Sequence, residues 1–211
     1  MMKGFQEETE GNIERLTARL RSCPASGCGV KDAERLADEV LLAGRWDSRE
    51  RSIPVKTIAE CFGFRAYVQE MIPDNAAGSI YIGGTTRRLY GHDKVIIAWK
   101  GEPFNSQRFI LAHGLGHYLM DYVGSALEKT PGKLFSRAYT GESRGAGDIK
   151  ELRADRFAEE LLMPADEFAA EYAKVMKAVE SDMRFAVPTL AAYFEAEERR
   201  VAQRLSYMGL A

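Results

Sequence analysis

The sequence predicts an α+β chain in which a small β-sheet packs against central helices. Three observations lead there. Three short β-forming runs lie between residues 64 and 100. The helix that follows them is apolar on nearly every side, which places it inside a core. Amphipathic helical segments precede and follow this centre.

The elements can be justified in order. Residues 11 to 21 carry Ile13, Leu16 and Leu20 on one helical face. A turn rich in Gly, Pro and Ser follows from Ser22 to Gly29. Ala33, Leu36, Ala37, Val40 and Leu41 then recur at helical spacing, and Gly44 is placed to end that helix. The polar stretch Arg45 to Ser52 reads as a linker. Pro54 opens a short helix from Val55 to Cys61 that Gly63 closes. Phe64 to Met71, Ser79 to Ile82 and Val95 to Lys100 are the strands. Asn105 or Ser106 is a candidate cap for the central helix, Gln107 to Tyr122. Gly124 to Gly147 holds many glycines and charges and reads as a long connection. A second helix is expected from Asp148 to Met163 and a third from Asp166 to Met176. A terminal pair follows, Thr189 to Phe194 and Glu197 to Met208. This gives three parts: an N-terminal helical extension at 1–50, a central domain at 51–180 and the helical pair at 181–211.

Composition excludes several classes. The chain has 211 residues, 45% of them apolar, enough to bury one core. Lys plus Arg is 29 and Asp plus Glu is 31, a net charge of −2 that leaves no electrostatic footprint for nucleic acid. The run Val95 to Trp99 is far short of the ~20 residues that span a bilayer. The first residues lack the apolar segment of a signal peptide. Three cysteines, an odd and low number, fit a reducing cytoplasm better than a disulfide scaffold. Cys23 and Cys28 flank a turn and can approach each other, but their spacing is not that of a metal knuckle.

The central helix contains His113-Gly114-Leu115-Gly116-His117. Histidines four apart project from one face, so both imidazoles can reach one ion. Two of the three histidines of the chain form this pair. By itself such a pair also fits two hydrogen-bonded core histidines. The next helix strengthens the metal reading. Ala154, Phe157, Ala158, Leu161 and Leu162 form its apolar stripe, and Glu151 and Asp155 lie beside it. A carboxylate facing a core is costly unless paired or metal-bound. Glu151 as third zinc ligand, with Asp155 accepting from a ligand imidazole, explains both. The alternative pairs these acids with Lys150, Arg153 or Arg156 near the surface. Asp121 shares the face of His113 and His117 and is a candidate ligand or imidazole partner. Glu159 and Glu160, two turns beyond Glu151, are expected in solvent. His92, in a Tyr-Gly-His-Asp turn, is expected as an exposed loop histidine.

These segments resemble the ImmA/IrrE family of small zinc metallo-endopeptidases. Gln107-Arg-Phe-Ile-Leu-Ala-His-Gly-Leu-Gly-His-Tyr-Leu-Met120 is similar to that family's "RFTLAHELGHYLL". Glu151-Leu-Arg-Ala-Asp-Arg-Phe-Ala-Glu-Glu-Leu-Leu-Met-Pro164 is similar to its "E-x-E-A-N/D-x-F-A-x-x-L-L-M-P". Ile53 to Phe64 resembles the approach to its first strand and Leu190 to Gly209 its C-terminal tail, whereas residues 1 to 50 have no counterpart. The resemblance implies a zincin-like fold: a small twisted sheet on an active-site helix and a glutamate-bearing helix. It implies zinc held by His113, His117 and Glu151. It also implies a protein substrate or partner, a helix-turn-helix transcriptional repressor, in a phage, a mobile element or a stress response.

One position departs from the family. Glu follows the first histidine there, and Gly114 stands here. In H-E-x-x-H enzymes that Glu takes a proton from the attacking water and passes it to the leaving amine. Gly114 can do neither, so hydrolysis is expected to be impaired. The alternative is a non-catalytic pseudo-peptidase that binds a repressor or another protein. The terminal pair has helix-turn-helix proportions, and Arg199, Arg200 and Arg204 could touch phosphates. Glu195, Glu197 and Glu198 offset them, which favours a packing or docking element over direct nucleic-acid binding.

Overall fold

A computed structural model describes residues 2–24, 29–46, 52–70, 76–130, 135–139, 149–180 and 182–210. Two helices come first, α1 (Met2–Ser22) and α2 (Val30–Gly44), then the short α3 (Val55–Cys61). The sheet strands are β1 (Arg65–Gln69), β2 (Gly78–Ile82), β3 (Lys94–Trp99) and β4 (Phe135–Tyr139), with α4 (Gly84–Tyr90) between β2 and β3. The central helix α5 (Phe104–His117) widens into a π-helical turn at Tyr118–Tyr122. Four helices finish the chain: α6 (Ile149–Leu162), α7 (Ala165–Ala178), α8 (Met183–Phe194) and α9 (Glu198–Tyr207). The fold is α+β, as the sequence predicts.

The sheet order is β1-β3-β2-β4, with β1 parallel to β3 and the other pairs antiparallel. The parallel pair needs a long crossover, and the β2–α4 excursion supplies it. Ile80, Ile82 and Ile96 face α5, whereas Val95 and Ile97 pack on the other side with Tyr67, Tyr81 and Tyr90. This is the period-2 alternation of a sheet covered on both faces. Helix α5 is buried from Arg108 to His117, the reason its sequence is apolar all round. Helix α6 lies between α5 and α2. The core runs without a break from Ile13 of α1 to Leu205 of α9.

Several expectations need correction. The connection Gly124 to Gly147 contains strand β4, whose partner β2 lies more than 50 residues earlier in the chain. Its backbone pairing, rather than any local alternation, defines it. Helix α4 begins at Gly84, with Gly83 as its N-cap, where the sequence offers only turn residues. Helix α8 begins six residues before Thr189. Asp182 caps it by accepting the Arg184 N–H, and Pro188 is accommodated inside. Asn105 and Ser106 do not cap α5, which starts at Phe104. Instead Asn105 Nδ2 donates to the Ala196 carbonyl at 3.0 Å and Ser106 Oγ donates to Glu197 at 2.7 Å, tying α5 to the junction of α8 and α9. Cys23 and Cys61 are free thiols, and Cys28 lies outside the described residues, as does most of the Arg45 to Ser52 stretch.

Glu159 and Glu160 are not solvated; they are 2% and 4% exposed. Glu159 accepts from Arg156 at 2.6 Å, and Glu160 pairs with the buried Arg204 of α9 while accepting the Ala165 N–H at 2.8 Å. A carboxylate two turns past Glu151 is therefore interior because the terminal pair brings arginines to it. Across α2, Asp38 is pushed up to about 6 by lost hydration and by the neighbouring Glu160 carboxylate. The folded chain keeps this proton in a window where the unfolded chain, near 3.8, has released it, so stability falls as pH rises from about 4 to 6. Asp38 remains exposed, which screens the effect. Asp38→Asn is expected to raise Tm at pH 7.5 and to lose that advantage toward pH 4, read by thermal scans at both values.

Candidate metal centre

The centre is built where α5 crosses α6. Each His of the H-x-x-x-H pair is 2% exposed at its side chain. Their Nε2 atoms lie 3.0 Å apart. Glu151, in the first turn of α6, brings Oε2 to 3.2 Å from His113 Nε2 and Oε1 to 3.4 Å from His117 Nε2. The three residues form a group that can hold a metal ion, with donor atoms within 4.8 Å of one another.

The other imidazole nitrogens are turned outward and held. His113 Nδ1 is 2.8 Å from Asp155 Oδ1, and His117 Nδ1 is 2.6 Å from Asp121 Oδ2. A carboxylate at Nδ1 fixes that nitrogen as the N–H, so Nε2 presents its lone pair to the centre. The sequence reading placed Asp155 in this role and left Asp121 open between ligand and imidazole partner. The structure seats Asp121 on the Nδ1 side of His117, away from the three converging donors. Of the cations in the alternative pairing, Arg153 reaches Asp121 at 3.2 Å and Arg156 reaches Glu159 at 2.6 Å.

Electrostatics follows the same geometry. Burial opposes charge on His113, but hydrogen bonds to Asp155 and Glu151 outweigh it and raise its pKa. Burial likewise opposes charge on Glu151, and the two imidazoles overcome it, holding the carboxylate ionised far below its usual range. Asp155 is lowered by His113 and Arg200 against the cost of its burial. A half-buried carboxylate facing two imidazole Nε2 atoms, each imidazole anchored at Nδ1, is a donor set that fits a divalent ion.

Close packing sets the spacing. A Cβ on Gly116 would lie 3.0 Å from Phe157 Cδ1 and 3.3 Å from the Ala154 Cα, so a side chain there would make α6 give by a few tenths of an ångström. Gly116→Ala is expected to push α6 outward. We expect a Tm drop of several degrees, from an overpacking cost of about 1–3 kcal/mol, and weaker metal uptake in a titration.

Gly114 faces the sheet. Its added Cβ would meet Ile96 side-chain atoms at 3.2 and 3.3 Å. Together with His113, His117, Ile110 and the segment Gly78 to Ile80 it lines a narrow cleft of about 10 Å³, room for about one water. No acidic side chain lines this cleft among the described residues. Ala138 of β4 closes one side.

A mixed sheet backed by a helix with paired histidines, joined by a glutamate from a second helix, defines a metallopeptidase-like protein. Residues 83–206 match the family described as IrrE N-terminal-like domain, Peptidase_M78. The match covers more than half of the chain, and the protein belongs to that metallopeptidase-like regulatory family. Among curated proteins none matches the chain. No helix of the described residues is long and apolar enough to cross a membrane.

Two residues beside the candidate centre were not legible in the sequence. Arg153 backs Asp121, and Arg200 backs Asp155 at 3.1 Å. Both are nearly fully buried. The only signal available was an arginine on the apolar side of each helix pattern.

Proposed function

We propose that this chain is a cytoplasmic zinc-binding regulator of the metallopeptidase fold whose hydrolytic step is impaired. Its cognate protein is a helix-turn-helix transcriptional repressor. The observation that carries the reading is an intact ligand set beside a missing base. His113, His117 and Glu151 converge, yet Gly114 stands where a proton acceptor is needed, and among the described residues no carboxylate lines the adjoining cleft.

Zinc would be held by His113 Nε2, His117 Nε2 and Glu151. When bound it supplies Lewis acidity, polarising a carbonyl and making water acidic near neutral pH. Asp155 and Asp121 hold the imidazoles in the tautomer that leaves Nε2 free. Ile80 and Ile110 give the cleft apolar walls. Among the described residues no carboxylate lines the cleft to move a proton to a leaving amine, and losing such a group typically costs about 10²–10⁴-fold.

A second reading, a non-catalytic binder that uses zinc as a staple, is favoured by β4. This strand occupies the edge of β2 beside the centre, where an extended peptide would otherwise pair. Elemental analysis of protein purified without chelator or metal-affinity resin comes first. About one zinc per chain supports the centre, and its absence removes both readings. Titration with a helix-turn-helix repressor, scored for cleavage and for binding, then separates them: cleavage supports the first and binding without cleavage the second.

A further inference from the structure

Helix α9 does more than close the core. Its Arg200 lies 45 residues beyond Asp155 in sequence, yet its Nη1 donates to Asp155 Oδ2 at 3.1 Å while Oδ1 of the same carboxylate holds His113 at 2.8 Å. The guanidinium is 7% exposed and stacks 3.8 Å from the centroid of the Phe109 ring, one turn before His113 on α5. A stacked planar guanidinium has little freedom, so it fixes the carboxylate it touches. Glu159 also lies near, at 3.5 Å, but that acid already has Arg156 at 2.6 Å. Asp155 is the shorter contact and the one that leads to the centre.

We infer that Arg200 is a positioning residue for the metal centre, acting through Asp155 on His113, so that the C-terminal helical pair completes the site and sets its metal affinity. The inference rests on the reading of His113, His117 and Glu151 as metal ligands. Its physical basis is a chain of fixed contacts. Without Arg200, the Asp155 carboxylate loses its counter-charge in a poorly hydrated site, and rotation of the carboxylate releases His113 Nδ1. The imidazole then no longer holds Nε2 on the other two donors. Outer partners of this kind are typically worth about 10–100-fold in metal affinity.

The test is zinc titration of the full chain, stripped of metal, in competition with a chromophoric chelator. Arg200→Met keeps the aliphatic bulk against Phe109 and removes the charge; Arg200→Lys keeps the charge. Val201→Ala, at a fully buried apolar neighbour on α9, reports loss of packing without loss of charge. Circular dichroism at the assay temperature confirms that each variant is folded. We expect Arg200→Met to weaken zinc binding about 10–100-fold, Arg200→Lys to recover most of it and Val201→Ala to stay within about twofold of the unmodified chain. Arg200→Met binding like the unmodified chain, or Val201→Ala losing as much, overturns the inference while leaving the ligand set standing. No zinc uptake by the unmodified chain overturns the ligand reading and this inference together.

Discussion

Gly114→Glu is expected to raise peptide-bond hydrolysis by about 10²–10⁴-fold, the range a positioned acid/base contributes. The substitution adds the one group the centre lacks, next to His113 and facing the cleft. It must fit against the sheet. The new Cβ lies 3.2 Å from Ile96 Cδ1, so that side chain has to yield by a few tenths of an ångström. Replacing a helical glycine also gains up to about 1 kcal/mol of helix propensity, which offsets part of the crowding. Gly114→Glu combined with Ile96→Val, which removes the Cδ1 contact, should therefore exceed Gly114→Glu alone in both rate and Tm. The measurement is digestion of an unstructured protein such as casein and of a helix-turn-helix repressor, with and without chelator. If Gly114→Glu stays as slow as the unmodified chain while holding one zinc, the missing base is not what limits hydrolysis.

The second large effect is thermal. A metal that binds only the folded chain stabilises it by about 4 kcal/mol when the free ion is at 1,000 times its Kd. For a chain of this size that corresponds to a rise in Tm of roughly 10 °C on zinc addition, reversed by chelator. His113→Ala should abolish the rise, because it removes a donor and leaves Asp155 without the imidazole it holds. It should also lower the Tm of the metal-free chain, since Asp155, a half-buried carboxylate, then keeps Arg200 alone among its described partners. A zinc-dependent rise that survives in His113→Ala would place the ion elsewhere.

The parts of this protein that depend on local pattern were legible without coordinates. The period of Ala33, Leu36, Ala37, Val40 and Leu41 marked α2, and the all-round apolar character of α5 marked the core helix. The four-residue spacing of His113 and His117 put two imidazoles on one face because helix geometry leaves no other choice. Glu151 and Asp155 stood out as acids beside an apolar stripe. The outer ring of the centre was less accessible. Asp121 sits on the face of His117, but whether it would be ligand or support depended on where α6 placed Arg153 and Glu151.

What the sequence alone determined is which residues are candidates for the metal centre and their helical phase, together with a glycine at position 114, since these follow from helix periodicity and residue chemistry. What the tertiary structure decided is everything that joins distant segments. It seats β4 on β2, turns Glu160 into a buried partner of Arg204, and brings Arg200 of α9 to Asp155. The reason is physical. An arginine and a carboxylate about forty residues apart carry no local signal of their partnership. Only the packing of α9 against α6 removes both from water, and a buried charge then requires the partner that packing supplies.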